Sequence, residues 1–71
     1  MKKMTAIRVV FNAFGTRFET YCDNSVGSMD ELTKIVEDIW GTAHIESTAM
    51  DLVTVENYLN QHIKTGKPRR L

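Results

Sequence analysis

The residues whose chemistry would be most diagnostic are one cysteine, Cys22, and two histidines, His44 and His62. A cysteine activated by a histidine is a nucleophile, and these separations allow the groups to meet in a fold. Cys22, however, falls on the apolar side of a predicted strand, where a free thiol behaves as a small hydrophobe. An inert, buried thiol is therefore expected. No Cys-x-x-Cys and no His-x-x-x-His spacing occurs, so neither a metal nor a cofactor is expected. The four glycines, at 15, 27, 41 and 66, form no phosphate-cradling loop, and no nucleophile elbow is present. With 71 residues to build any pocket, the chain reads as a non-enzyme.

Charge is the stronger signal. Nine basic and nine acidic residues give a net charge of zero, but they are segregated. Residues 1–22 sum to +3, residues 23–56 to −7 and residues 57–71 to +4. Asp30, Glu31, Glu37 and Asp38 fall on one side of a predicted helix. Asp30 and Glu37 lie two turns apart, too far for a tight carboxylate pair, so this side reads as a solvated face or a docking face. A row of carboxylates can imitate a phosphate backbone, but Lys34 interrupts it and the chain as a whole is not acidic. The basic ends offer phosphate contacts through Lys2, Lys3, Lys64, Lys67, Arg69 and Arg70, without an aromatic platform. Trp40 either caps the core or joins Tyr58 or Tyr21 as an anchor for a partner.

These groups must be placed by a few elements. Residues 4–14 and 16–22 read as two strands joined at Phe14-Gly15. A two-residue turn pairs Ala13 with Thr16, Phe11 with Phe18, Val9 with Thr20 and Ile7 with Cys22, all on one face. Phe14 is an unusual residue beside the turn glycine. The other face shows Arg8, Val10, Asn12, Arg17, Glu19 and Tyr21, and is expected to be open to solvent or a partner. Residues 23–28 form a polar turn. Ser28-Met-Asp-Glu31 is a capping box, and Met29, Leu32, Ile35, Val36, Ile39 and Trp40 follow at helical spacing until Gly41. Beyond it, residues 43–47 suit a short edge strand around Ile45. Leu52, Val55, Leu59 and Ile63 form a helical stripe, predicting a second helix over 48–64. The β-prone run Leu52-Val-Thr-Val55 competes with it as a third strand.

The fold class is therefore α+β in two layers: an N-terminal antiparallel β-hairpin packed on an amphipathic helix, then a short strand, a second helix, or both. Residues 1–64 form one small domain, and 65–71 a flexible basic tail. The expected core is Ile7, Val9, Phe11, Phe18, Leu32, Ile35, Val36, Ile39, Leu52, Val55 and Leu59. Lys2-Lys3 does not open a signal peptide, because Arg8 and Asn12 interrupt the run that follows. No window approaches the ~18 apolar residues of a membrane span, and the lone cysteine suits a reducing cytoplasm.

These features predict a small binding or regulatory protein that acts by docking on another protein. In size and type it is similar to the small modulators and inhibitors made by bacteriophages and mobile elements. The candidate interface is Arg8, Val10, Arg17 and Tyr21 on the hairpin, with Asp30, Glu31, Glu37, Asp38 and Trp40 on the helix. An unpaired edge strand would also suit extension of a partner's sheet or a homodimer. The alternative is an accessory nucleic-acid-binding protein that uses the basic ends, with Arg8 and Arg17.

Overall fold

The computed structural model describes residues 1–25, 28–41 and 43–71, position 43 as backbone only. In chain order the elements are β1 (Lys3–Ala13), β2 (Thr16–Cys22), α1 (Met29–Trp40), β3 (Ala43–Thr54), α2 (Val55–Asn60) and β4 (Arg69–Arg70). The strands form one antiparallel sheet in the order β3-β1-β2-β4. The fold is α+β, with the N-terminal hairpin followed by the amphipathic helix.

The hairpin pairs in the register that the alternation of side chains demands: Ala13 with Thr16, Phe11 with Phe18, Val9 with Thr20 and Ile7 with Cys22. The turn puts both central residues at positive φ, Phe14 at 56° and Gly15 at 78°. That conformation matches the twist of the flanking strands. Glycine adopts it freely, whereas Phe14 meets a steric penalty there.

Ser28 caps α1, its hydroxyl accepting the Glu31 N–H at 3.2 Å. Gly41 closes the helix at φ 77°, donating its N–H to the Glu37 carbonyl at 2.8 Å. Positions 26 and 27 of the expected 23–28 turn lie outside the described residues. Leu32 and Val36 of α1 are buried against Val9, Phe11, Ala13 and Cys22 of the hairpin, and Ile63 joins this core. Ile7, Phe18, Ile35, Trp40 and Ile45 pack around it, half-buried. Ile39, expected in the core, lies at its margin and is exposed.

The second half departs from the helical expectation. Residues 43–54 are one 12-residue strand, and only Val55–Asn60 is helical. The reason is β1. Its residues Ala6, Val9, Val10, Phe11 and Ala13 are buried, and β2 satisfies one edge of its backbone. The other edge needs a ladder, because an unpaired buried peptide group costs as much as a lost hydrogen bond. β3 supplies it from Lys3↔Thr54 to Ala13↔Ala43, with a bulge that leaves Glu46 as the extra residue between Ser47 and Ile45. Thr54 then caps α2, its hydroxyl accepting the Asn57 N–H at 3.2 Å. The stripe of Leu52, Val55 and Leu59 is therefore no core. Leu52 and Leu59 are exposed, Val55 is half-buried, and Val53 and Tyr58 are buried instead.

Val53 and Tyr58 form a second, smaller cluster with Ala6, Tyr21 and Met4 on the sheet face opposite α1. The chain then folds back along β2. Gln61 accepts the Tyr21 N–H (3.1 Å) and the Thr20 hydroxyl (2.6 Å), and Ile63 donates to the Tyr21 carbonyl (2.9 Å). Gly66 makes this return possible, because a Cβ there would fall on the carbonyl oxygen of Asn60 and the amide nitrogen of His62. The sequence reads residues 65–71 as a free tail. In the structure Arg69 and Arg70 pair with Glu19 and Phe18, and the Leu71 N–H reaches the Arg17 carbonyl at 3.0 Å. The reason is the outer edge of β2, whose backbone groups are satisfied by this segment.

Candidate functional site

The strand pairing brings Cys22 and His62 to the same open cleft, of about 360 Å³, lined also by Asp23, Glu31, Ile35 and Lys64. The geometry does not activate the thiol. Cys22 is 1% exposed, and burial, with Asp23 adding, pushes its pKa up to about 11. Such a thiol is protonated at neutral pH and is a poor nucleophile. His62 accepts the Lys64 N–H through Nδ1 at 3.2 Å and stands edge-on to Tyr58 at 5.0 Å. His44 lies far along the sheet, opposite Asn12 in β3. Among the described residues, no three His, Cys, Asp or Glu side chains gather as a metal site. No helix among them is long and apolar enough to cross a membrane.

Of the hairpin half of the expected interface, Val10 and Tyr21 are buried, Arg8 is half-buried and Arg17 is exposed. Val10 is 5% and Tyr21 7% exposed. Tyr21 is buried because α2 and the return segment cover that end of the sheet. Val10 is enclosed because charged side chains on the same face pair around it. Arg8 binds Glu19 through Nε (2.8 Å) and Nη2 (2.7 Å). The Tyr21 hydroxyl donates to the other Glu19 oxygen at 3.2 Å. Glu19 is thus a buried carboxylate, and its hydrogen bond and charge raise the pKa of Arg8. Desolvation and the same carboxylate raise that of Tyr21. Arg17 reaches Glu46 of β3 at 3.2 Å, in an exposed pair.

On α1, Asp30, Glu31, Glu37 and Asp38 are exposed along its outer side. Trp40 turns the other way. Its ring lies 5.5 Å from Phe11 and 6.0 Å from Phe18, an aromatic cluster that closes the core near the hairpin turn. Its Nε1 is buried with no hydrogen-bond partner among the described residues. The basic residues are divided. Lys2 and Lys3 lead into β1, where the Val55 N–H meets the Lys2 carbonyl. Lys64 lines the Cys22 cleft, Lys67 is held against Asn60, and Arg69 and Arg70 lie beside β2.

The surface that the side-chain chemistry did not point to is the outer edge of β3. β3 ends the sheet, and no described residue pairs with its outer side. Met50 and Leu52 are 58% and 62% exposed. They face Ile7 and Thr5 across the ladder and so share the α1 side of the sheet. Met29, also exposed, lies beside the same strand, its sulfur 3.9 Å from the Thr48 hydroxyl. The signal was present in the sequence as the β-prone run at 52–55. The Phe14 ring, 79% exposed at the hairpin tip, is a second such feature, and the mismatch of residue and turn pointed to it.

No family model matches this chain, and comparisons with curated proteins and with solved structures find no match. The surface itself carries the functional argument.

Proposed function

We propose that this chain is a non-enzymatic binding protein that acts by docking on another polypeptide through the outer edge of β3. One observation carries the reading. The chain covers the exposed edge of β2 with its own residues 61–71, whereas among the described residues no strand covers the twelve-residue β3, where the Asp51 side chain meets the outward Leu52 N–H and Met50 and Leu52 are exposed. A long, unguarded edge is a template for strand addition, and natural domains normally blunt or cover it. Here the charges that would blunt it are sparse, Glu46 at the bulge and Asp51, and no lysine or proline stands in β3. Main-chain hydrogen bonds would supply affinity, and Met50 and Leu52 specificity.

The test is affinity capture from the native host with the wild-type chain and with Leu52→Lys, a substitution at an exposed site. The expected result is a stoichiometric polypeptide partner held by the wild type and lost by the variant. Equal capture by both, or none by either with the chain a stable monomer, refutes edge docking. Binding of DNA or RNA that weakens steeply with salt and with removal of residues 65–71 would favour the basic ends instead.

A further inference from the structure

We infer that the strand that occupies the β3 edge belongs to a second copy of this chain, paired antiparallel about Met50. The inference rests on the edge-docking reading and names its partner.

The backbone sets the geometry. The Val55 N–H points inward, to the Lys2 carbonyl. Antiparallel alternation then turns Val53, Asp51, Ala49 and Ser47 toward β1, and Thr54, Leu52, Met50 and Thr48 outward. The Leu52 amide fits this assignment, since it bonds at 2.8 Å to the side chain of Asp51 rather than to β1. The residues whose backbone faces the open edge are thus the ones whose side chains lie on the α1 side. A two-fold axis through Met50 sets Met50 against its own copy and Thr48 against Leu52, joining outward backbone groups in matched pairs once the Leu52 N–H exchanges the Asp51 side chain for the Thr48 carbonyl of the other copy. Across the same seam Asp51 meets Ala49 and Glu46 meets Thr54, so no like charges oppose. The elements that flank the seam belong to the acidic segment 23–56, which sums to −7, so the association should tighten as added salt screens that charge.

The operation keeps each face of the sheet on its own side. Both α1 helices therefore flank the seam, and the cleft between them is lined by Met29, Met50 and Leu52 of each copy. The interface size also suits a second copy. Twelve residues span about 36 Å, so β3 must run along the 35 Å axis of a body 35 × 25 × 19 Å. A face bounded by 35 Å along the strand and 19 or 25 Å across it encloses roughly 650–900 Å² in projection, an upper bound that reaches the about 800 Å² per partner of a stable interface. The assembly closes as a dimer, because the other edge of the sheet ends in the two-residue β4.

Sedimentation equilibrium of the intact chain tests this, with Met50→Lys and Met50→Cys alongside. The expected species has twice the 8.1 kDa chain mass. Met50→Lys, at an exposed position that leaves the circular dichroism of the fold intact, should raise the dimer dissociation constant at least tenfold. Met50→Cys should cross-link to itself on mild oxidation, since facing residues stand about 5.5 Å apart, within disulfide reach. A monomer up to millimolar concentration overturns the second copy, and leaves edge docking to be judged by the Leu52→Lys capture. A dimer indifferent to Met50→Lys uses another face and overturns the inference. A dimer lost in Met50→Lys but without the Met50→Cys cross-link refutes the register.

Discussion

Replacing Arg8 with methionine removes the cation from a nearly enclosed carboxylate. The Glu19 side chain is 7% exposed and that of Arg8 39%, and two contacts of 2.7 and 2.8 Å join them. Breaking a fully buried pair by removing one partner costs about 3–5 kcal/mol, because the remaining charge is left uncompensated. Here Arg8 is over a third exposed, so water can enter where the guanidinium was, and the Tyr21 hydroxyl stays at 3.2 Å. The loss should therefore be about 2 kcal/mol. For a domain of this size that lowers Tm by roughly 8–16 °C. Glu19→Gln keeps the shape and removes the charge, at about 1 kcal/mol. Urea unfolding of the wild type, both single variants and the double variant closes a cycle, and the coupling between the sites should be about 1–2 kcal/mol. Additive effects, or an Arg8→Met variant within about 0.5 kcal/mol of wild type, would mean that water already solvates Glu19 and that the pair contributes nothing.

Three further outcomes follow from single positions. Phe14→Asn should stabilise the chain by about 0.5–1 kcal/mol, since asparagine tolerates φ 56° and the exposed ring forfeits little burial; a lower Tm would show that the ring packs on something. Gly66→Ala should cost about 1–3 kcal/mol, because its methyl must displace the backbone of Asn60 and His62. Faster amide exchange at Tyr21 and Ile63 is the accompanying readout, and unchanged exchange would contradict the role given to the return segment. Cys22 should resist thiol reagents at neutral pH and make stability pH-dependent. Its folded pKa, raised from 9.0 to about 11, leaves the stabilisation intact below pH 9 and removes it between pH 9 and 11, where only the unfolded thiol ionises. The difference reaches at most about 2.7 kcal/mol, and is absent from Cys22→Ala; parallel alkaline profiles of the two proteins would refute it.

Local pattern was most informative where one element buries one face. Alternation in residues 4–22 defines the hairpin register down to each pair, because a one-residue slip would turn every core side chain outward. The Ser28 cap, the stripe of Leu32 and Val36, and the Gly41 stop define α1 for the same kind of reason. The pattern misled at 48–64, where Leu52, Val55, Leu59 and Ile63 line up on a helical wheel. Helical spacing is a local property, and the demand that overrides it, a partner for the buried backbone of β1, comes from a strand some forty residues away. Val10 and Tyr21 failed as surface residues for a related reason. Their cover comes from distant side chains, Tyr58 over one and the pairs Arg8–Glu19 and Arg17–Glu46 around the other.

The sequence by itself determined the α+β class, the hairpin, the first helix, the inert placement of Cys22 and the segregation of charge. Each follows from spacings within a single stretch of chain. Tertiary structure decided which edge of the sheet is covered and which is bare. The β2 edge is closed by residues 61–71, and among the described residues no strand covers the β3 edge, with Met50 and Leu52 on it. Edge exposure depends on the order of strands in the sheet. That order is set by long-range hydrogen bonding and burial, which no local period records.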